Sequence, residues 1–425
     1  MSLSQRDQQV IWHPYTQMQL SGAAIGIVRG EGIWLIDESG KKYMDAISSW
    51  WVNIHGHAHP YIARKVSEQL QNLEHVIFAG FTHEPAVALA ERLLKILPNN
   101  QSKIFYSDNG STATEVAVKM ALQYWSNKGK KKLKVLALEH AYHGDTFGSM
   151  SISARSSFTQ PFSDLLFDVI HVPFPGHGQA SRSIETFKEN VLRYKNEIAA
   201  FIFEPLVLGA GGMLMYAPEV LDELIKIAKE NSILTIADEV MTGFGRTGRY
   251  FASDFLLQKP DVLCLSKGIT GGTMPLGVTS CTPEIFDAFL SDDRTKTFFH
   301  GHSFTANPVA CAAALASLDL LQEEKCFQNI KRIEAQHHQF AESHQQNPFI
   351  KNIRCCGTIL AMDIESRDQT SYFNPLRDRL QSFFLEKGIL LRPLGNTLYV
   401  MPPYCIANTE LSLVYEAIDG ASTLV

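Results

Sequence analysis

Lys267 closes an apolar run, Asp-Val-Leu-Cys-Leu-Ser-Lys-Gly over 261–268, and is the only charge in it after Asp261. A second run, Ser-Ile-Leu-Thr-Ile-Ala-Asp-Glu-Val over 232–240, carries Asp238 near its end. The two residues stand 29 positions apart, a spacing that suits two parallel strands joined by a crossover. An amine and a carboxylate at neighbouring strand ends are the groups a pyridoxal phosphate (PLP) site needs. The lysine forms a Schiff base with the cofactor and, once displaced, is the base that moves the substrate proton. The aspartate keeps the pyridine nitrogen protonated, so that the ring draws off electrons. The plain alternatives are a surface lysine at a strand end and an aspartate capping the turn over 239–245. Gly268 and the Gly271-Gly272 pair weigh against the first, because they imply backbone crowded near a ligand.

Other polar residues collect at strand ends, where open α/β sheets bind ligands. The strand over 103–106 runs into Ser107-Asp108-Asn109-Gly110-Ser111-Thr112 and then a helix over 112–125. Gly110 admits a close ligand, and Ser111 and Thr112 offer hydroxyls beside free helix-start N–H groups, which makes a phosphate seat. A Ser or Thr helix cap fits the same residues. The strand over 134–138 runs into Glu139-His140-Ala141-Tyr142-His143. Tyr142 can stack on a flat cofactor ring, with His143 close by, or pack in the core. Ser303, in His300-Gly301-His302-Ser303, is a candidate second phosphate ligand. Arg392, before Pro393, suits a bidentate pair with a substrate carboxylate, or is an ordinary surface arginine. Trp50-Trp51 puts at least one ring in the core or a pocket wall. His55, His57 and His59 alternate, but Gly56 and Pro60 favour a loop over a metal-binding strand, so no metal is expected.

The elements that must position these groups alternate. Helices are expected over 61–74, 84–97, 218–230 and 308–322, and strands over 168–172, 200–203, 234–237 and 262–265. This argues an α/β fold with a mostly parallel sheet covered on both faces. A β-hairpin over 25–45 precedes it. A polar helical stretch over 323–345 and a short α+β region, with strands over 359–364 and 398–401, follow. The expected division is 1–59 contributing to a small domain, 60–322 as the large domain, and 323–425 as the rest of the small one.

The chain has 425 residues and a net charge of −6, with 45% hydrophobic and 19% charged residues, the balance of a globular protein with a large core. So mild an acidity points to no nucleic-acid surface. No run has the length of a membrane span, and the polar start MSLSQRDQQVIWHPY lacks a signal core. Seven cysteines without a CxxC pair suit a reduced, cytoplasmic protein. The lysine-rich stretch over 128–134 reads as a solvated loop.

The motifs Ala-Asp-Glu-Val-Met-Thr-Gly-Phe-Gly-Arg-Thr-Gly (237–248) and Leu-Ser-Lys-Gly (265–268) resemble those of the class III aminotransferases of PLP fold type I. Further stretches are similar to the biotin-synthesis branch of that family: Ile-Trp-His-Pro-Tyr-Thr (11–16), Ser-Ser-Trp-Trp (48–51), His-Gly-Asp-Thr-Phe-Gly (143–148), Gly-Ala-Gly-Gly-Met (209–213), Thr-Gly-Gly-Thr-Met (270–274) and Leu-Tyr-Val-Met-Pro-Pro-Tyr (398–404). The likeness runs from about residue 11 to the end. It implies that Lys267 carries PLP, Asp238 binds its ring nitrogen, Gly110 and Ser111 hold the phosphate, and Tyr142 stacks on the ring. It implies that Tyr15 and Trp50 wall the substrate pocket, that Tyr399 lines it, and that Arg392 takes the keto acid's carboxylate. Gly301, His302 and Ser303 would reach the phosphate of a neighbouring subunit, in a homodimer. The implied substrates are 7-keto-8-aminopelargonate and, as amino donor, S-adenosylmethionine, or lysine as in some relatives. One departure is His302-Ser303, where some members read Pro-Thr. The serine hydroxyl keeps a donor for phosphate.

Overall fold

The apolar runs become strands of one seven-stranded sheet in a computed structural model that describes residues 1–176, 178–366 and 371–424. Across the sheet the order is Lys103–Ser107, Gly277–Cys281, Val262–Leu265, Leu234–Asp238, Ile198–Phe203, Lys134–Leu138 and Ile170–Val172. Gly277–Cys281 runs antiparallel to both its neighbours, and the other pairs are parallel. Sequence reading missed this strand: its Gly-Val-Thr-Ser-Cys carries two hydroxyls, yet all five residues are buried. Thr279 and Ser280 bury their hydroxyls by donating to the Ala113 carbonyl and to Gln101.

Both faces of the sheet are covered, which explains the unbroken apolar runs of its central strands. The period of two splits each run between two cores. Phe201, Phe203, Leu263 and Leu265 enter the larger one, and Ala200, Ile202, Val262 and Cys264 the other, under helix Gly110–Asn127. Truncating Phe201 to alanine would cost about 3–5 kcal/mol.

The chain's two ends meet. Strands Ile27–Glu31, Trp34–Asp37 and Lys42–Asp45 form a meander rather than a simple hairpin, and Ile389–Leu390 joins its edge in parallel. A second sheet, Ile350–Cys356, Ile359–Ile364 and Thr397–Val400, lies under helix Glu324–Ser343. Within the lysine-rich loop, Lys132 is not solvated. It lies 3.7 Å from the Trp125 ring and donates to the Ser232 carbonyl. Burial lowers its pKa to about 8.

Candidate active site

Asp238 and Lys267 end adjacent parallel strands. Asp238 pairs in register with Cys264, three residues before the lysine. Their connection contains only a short 3-10 turn, Ala252–Phe255, not an α-helix. Lys267 itself is left-handed, with φ +48°. A non-glycine residue in that region costs about 1–3 kcal/mol and persists only where its surroundings hold it. Here Ser266 donates to the Leu276 carbonyl, and Ser317 to the carbonyl of Gly268.

Both groups line a cavity of about 730 Å³. Asp238 is buried. One oxygen accepts from the Val240 N–H (3.1 Å) and the other lies 2.6 Å from His143 Nδ1. His143 Nε2 is buried with no partner among the described residues. The Lys267 amine has no hydrogen bond among the described residues and sits 4.7 Å from the Trp51 ring. Burial lowers its pKa, while Asp238 and Glu204 pull it upward.

Elsewhere on the cavity wall, helix Gly110–Asn127 starts at a capping box. The cap is Asn109, and Thr112 closes the box, so the Thr112 hydroxyl serves the helix start. Ser111 faces the Thr146 hydroxyl at 2.8 Å. A Cβ on Gly110 would come within 2.6 Å of Val240, and one on Gly144 within 2.2 Å of the Ser111 hydroxyl. The cradle therefore exists only with glycine at both positions. Gly271 and Gly272 are crowded as expected, by His55 and by the backbone of Asn53, and Gly272 also lines the cavity.

Tyr142 lines the cavity, and its hydroxyl lies 3.4 Å from that of Tyr15, which donates to Asp145 at 2.7 Å. Trp50 packs edge-on against Tyr15, and the Arg392 guanidinium stands 4.8 Å from the Trp50 ring. No carboxylate of the described residues pairs with Arg392. Trp51, not Trp50, is the buried cavity wall; Trp50 is 39% exposed. Tyr399 stands behind that wall and accepts from Trp51 Nε1 at 3.0 Å, so it does not line the cavity itself. Gly301, His302 and Ser303 lie outside the cavity, with His302 Nδ1 3.7 Å from Asp108. His57 bonds Asp45 and His55 bonds Ser317, and no metal-binding group of His, Cys, Asp or Glu stands among the described residues.

Sequence reading passed over Glu204. It ends the buried run Ile198–Phe203 just as Asp238 ends its own, so the same signal was there to read. Its two oxygens accept from the N–H groups of Tyr142 (2.9 Å) and Gly209 (3.0 Å). Burial, with repulsion from Asp238, raises its pKa to about 7.

The family description "Aminotransferase class-III" matches residues 17–421. The chain belongs to the class III aminotransferases. It is similar to the adenosylmethionine-8-amino-7-oxononanoate aminotransferase of Synechococcus elongatus, 46% identical over 96% of this chain and 97% of that one. The relative of the same name from Geobacter sulfurreducens is 38% identical over 97% and 95%. Among solved structures, that of the Methanocaldococcus jannaschii enzyme of this name is 34% identical, with TM-score 0.94 over 100% of this chain and 99% of that one. An omega transaminase from Pseudomonas jessenii in complex with PMP gives TM-score 0.94 at 28% identity, over 100% and 99%. This chain is thus an aminotransferase of the α/β fold type I, and its cofactor is PLP. The residues present fit that group: a buried amine without a hydrogen bond among the described residues, a buried carboxylate fixed by a histidine, and a glycine-lined helix start.

Proposed function

We propose that this protein transfers an amino group to 7-keto-8-aminopelargonate, giving 7,8-diaminopelargonate for biotin synthesis, with S-adenosylmethionine as donor. The observation that carries this reading is the full-length likeness to relatives of that name.

In this reading Lys267 holds the cofactor, Asp238 pairs with its ring nitrogen, Gly110 and Ser111 receive its phosphate, and Tyr142 faces its ring. Bound there, PLP supplies an electron sink and a carrier for the amino group. The protein's own groups do the rest. Lys267 Nζ, its proton affinity lowered by burial, takes and returns the proton at the substrate carbon. His143 holds the Asp238 carboxylate in one orientation. Trp51 keeps water from the lysine. Arg392, free of a carboxylate partner among the described residues, pairs with that of the keto acid, while Trp50 and the Tyr15–Asp145 pair wall its chain. Both substrates reach Lys267 in this cavity in turn, one as donor and one as acceptor, while Arg392 and Tyr15 stand outside it.

The reading also includes a small domain built from 1–59 and 323–425 on the large domain 60–322. Trp50 and Arg392 then reach the site from the small domain and Lys267 from the large one. It includes a homodimer in which Gly301, His302 and Ser303 serve the neighbouring site, since they lie outside their own cavity. It places the protein in the cytoplasm; no helix of the described residues is long and apolar enough to cross a membrane. Incubating the PLP-loaded protein with S-adenosylmethionine and the keto acid, then following 7,8-diaminopelargonate by mass spectrometry, tests the reading. No product with either S-adenosylmethionine or lysine would refute it.

A further inference from the structure

We propose that Asp45 is a positioning residue that holds the Trp50-Trp51 turn beside the cavity through Ser49. This rests on the function proposed above, and extends it to a residue outside the cavity. Three residues in the four-residue turn Ser48–Trp51 are left-handed without being glycine: Ser48 (φ 54°), Ser49 (φ 60°) and Trp51 (φ 68°). Such a turn does not hold itself, because each L side chain meets its own backbone there. Something must hold it: the Ser48 hydroxyl donates to the Met401 carbonyl, the Arg246 guanidinium reaches the Trp51 carbonyl, and one buried carboxylate gathers the bonds around Ser49.

Asp45 is completely buried. One oxygen accepts from the Ile47 N–H (3.2 Å), just before the turn. The other accepts from the Ser49 hydroxyl (2.9 Å), inside it, and lies 2.9 Å from His57 Nε2. The far side of the imidazole is held too, with His57 Nδ1 3.1 Å from the Asn53 amide. Asn53 in turn accepts from the Gly56 N–H at 2.7 Å. A Cβ on Gly30 would lie 2.6 Å from that of His57, so the first strand of the meander is shaped around the imidazole. The carboxylate thus ties both ends of the segment 45–57 to its middle.

The consequence falls on the two indoles. With the turn held, Trp51 stands against the Lys267 amine and Trp50 against Arg392. The backbone reversal sends consecutive indoles to two different tasks, one beside the lysine and one beside the arginine. Releasing the turn should loosen Trp50 first, because Trp51 keeps its bond to Tyr399. The expected effect is therefore on keto-acid binding beside Arg392, more than on the proton transfer at Lys267.

Ser49→Ala removes one hydrogen bond and little volume, so it tests the idea with small risk to folding. Asp45→Ala removes all the bonds that the carboxylate makes to the segment. Tyr106→Phe, which deletes a buried hydroxyl bond to the Ala86 carbonyl away from the cavity, is the control for general loosening. The expected result for Ser49→Ala in the PLP-loaded enzyme is a rise of about tenfold in KM for the keto acid, the equivalent of one hydrogen bond to a charged acceptor. Its kcat should stay within about twofold, because the lysine is untouched. The near-UV circular dichroism band that Trp50→Phe removes should weaken in Ser49→Ala and Asp45→Ala, with and without PLP, and not in Tyr106→Phe. Unchanged KM and an unchanged indole band in both variants would overturn the proposal. So would a loss that Tyr106→Phe reproduces, since that is only loosened packing. A wild type inactive on the keto acid would refute the proposed function, while the indole band would still decide the role of Asp45.

Discussion

Asp238 lies across from Cys264 in the parallel ladder, so its carboxylate and the Lys267 amine emerge from adjacent strands at one end of the sheet. The strand register thus brings the two groups to one cavity without any flexible segment between them. The left-handed backbone at Lys267 then turns the chain out of the strand direction. A cofactor held by both groups would be fixed to two paired strands of the central sheet.

In the proposed function, Arg392 should separate the two half-reactions. It stands against the Trp50 ring, whereas the lysine stands against Trp51. Arg392→Ala should lower kcat/KM for the keto acid about a hundredfold, the loss expected for a charge-assisted hydrogen bond of roughly 2–3 kcal/mol. The half-reaction with the amino donor should stay within about threefold. Single-turnover kinetics with each substrate measures both, and equal damage would remove Arg392 from the carboxylate role.

His143 should behave in the opposite way. It is the buried partner of Asp238, the carboxylate that both half-reactions would use in the proposed function. His143→Asn should weaken PLP binding and slow both half-reactions by similar factors. Loss of the pair leaves a buried carboxylate underbonded, which costs about 1–3 kcal/mol. Equilibrium dialysis against PLP, with kinetics on each substrate, checks this. A selective effect on the keto acid would contradict it.

Glu204 gives the fold a pH dependence with a definite sign. Burial raises its pKa in the folded protein from the ordinary 4.5 to about 7. A raised value means that its contribution to stability is complete below about 4.5 and is lost as the pH rises through 7. The whole effect is at most on the order of 3 kcal/mol. Glu204→Gln should therefore flatten the dependence of urea-unfolding stability on pH across that window, whatever its constant effect. An identical pH slope in wild type and variant would show that Glu204 does not titrate there.

Much of the site is legible in the chain itself, and the reasons are local. Apolar runs that end in charge at 238 and 267 betray buried strands with functional ends, and their spacing betrays the crossover. The helix over 112–125 shows its period plainly. Other features depend on contacts distant in sequence. Gly277–Cys281 reads as too polar for a central strand, because its hydroxyls find partners only after folding. Lys132 looks solvated until Trp125 and Ser232 are brought to it. The exchange of roles within Trp50-Trp51 depends on a left-handed turn that neither residue type announces. Glu204 was the one miss that required no structure, since the pattern that exposes Asp238 exposes it too.

The most direct test of the central claim is the visible spectrum of the PLP-loaded protein during one cycle of substrate addition. The absorbance of the lysine-bound cofactor should disappear with S-adenosylmethionine and return with 7-keto-8-aminopelargonate, and Lys267→Ala should show no such band. A wild-type band that neither S-adenosylmethionine nor lysine moves, or a Lys267→Ala protein that completes the same cycle, would contradict the account.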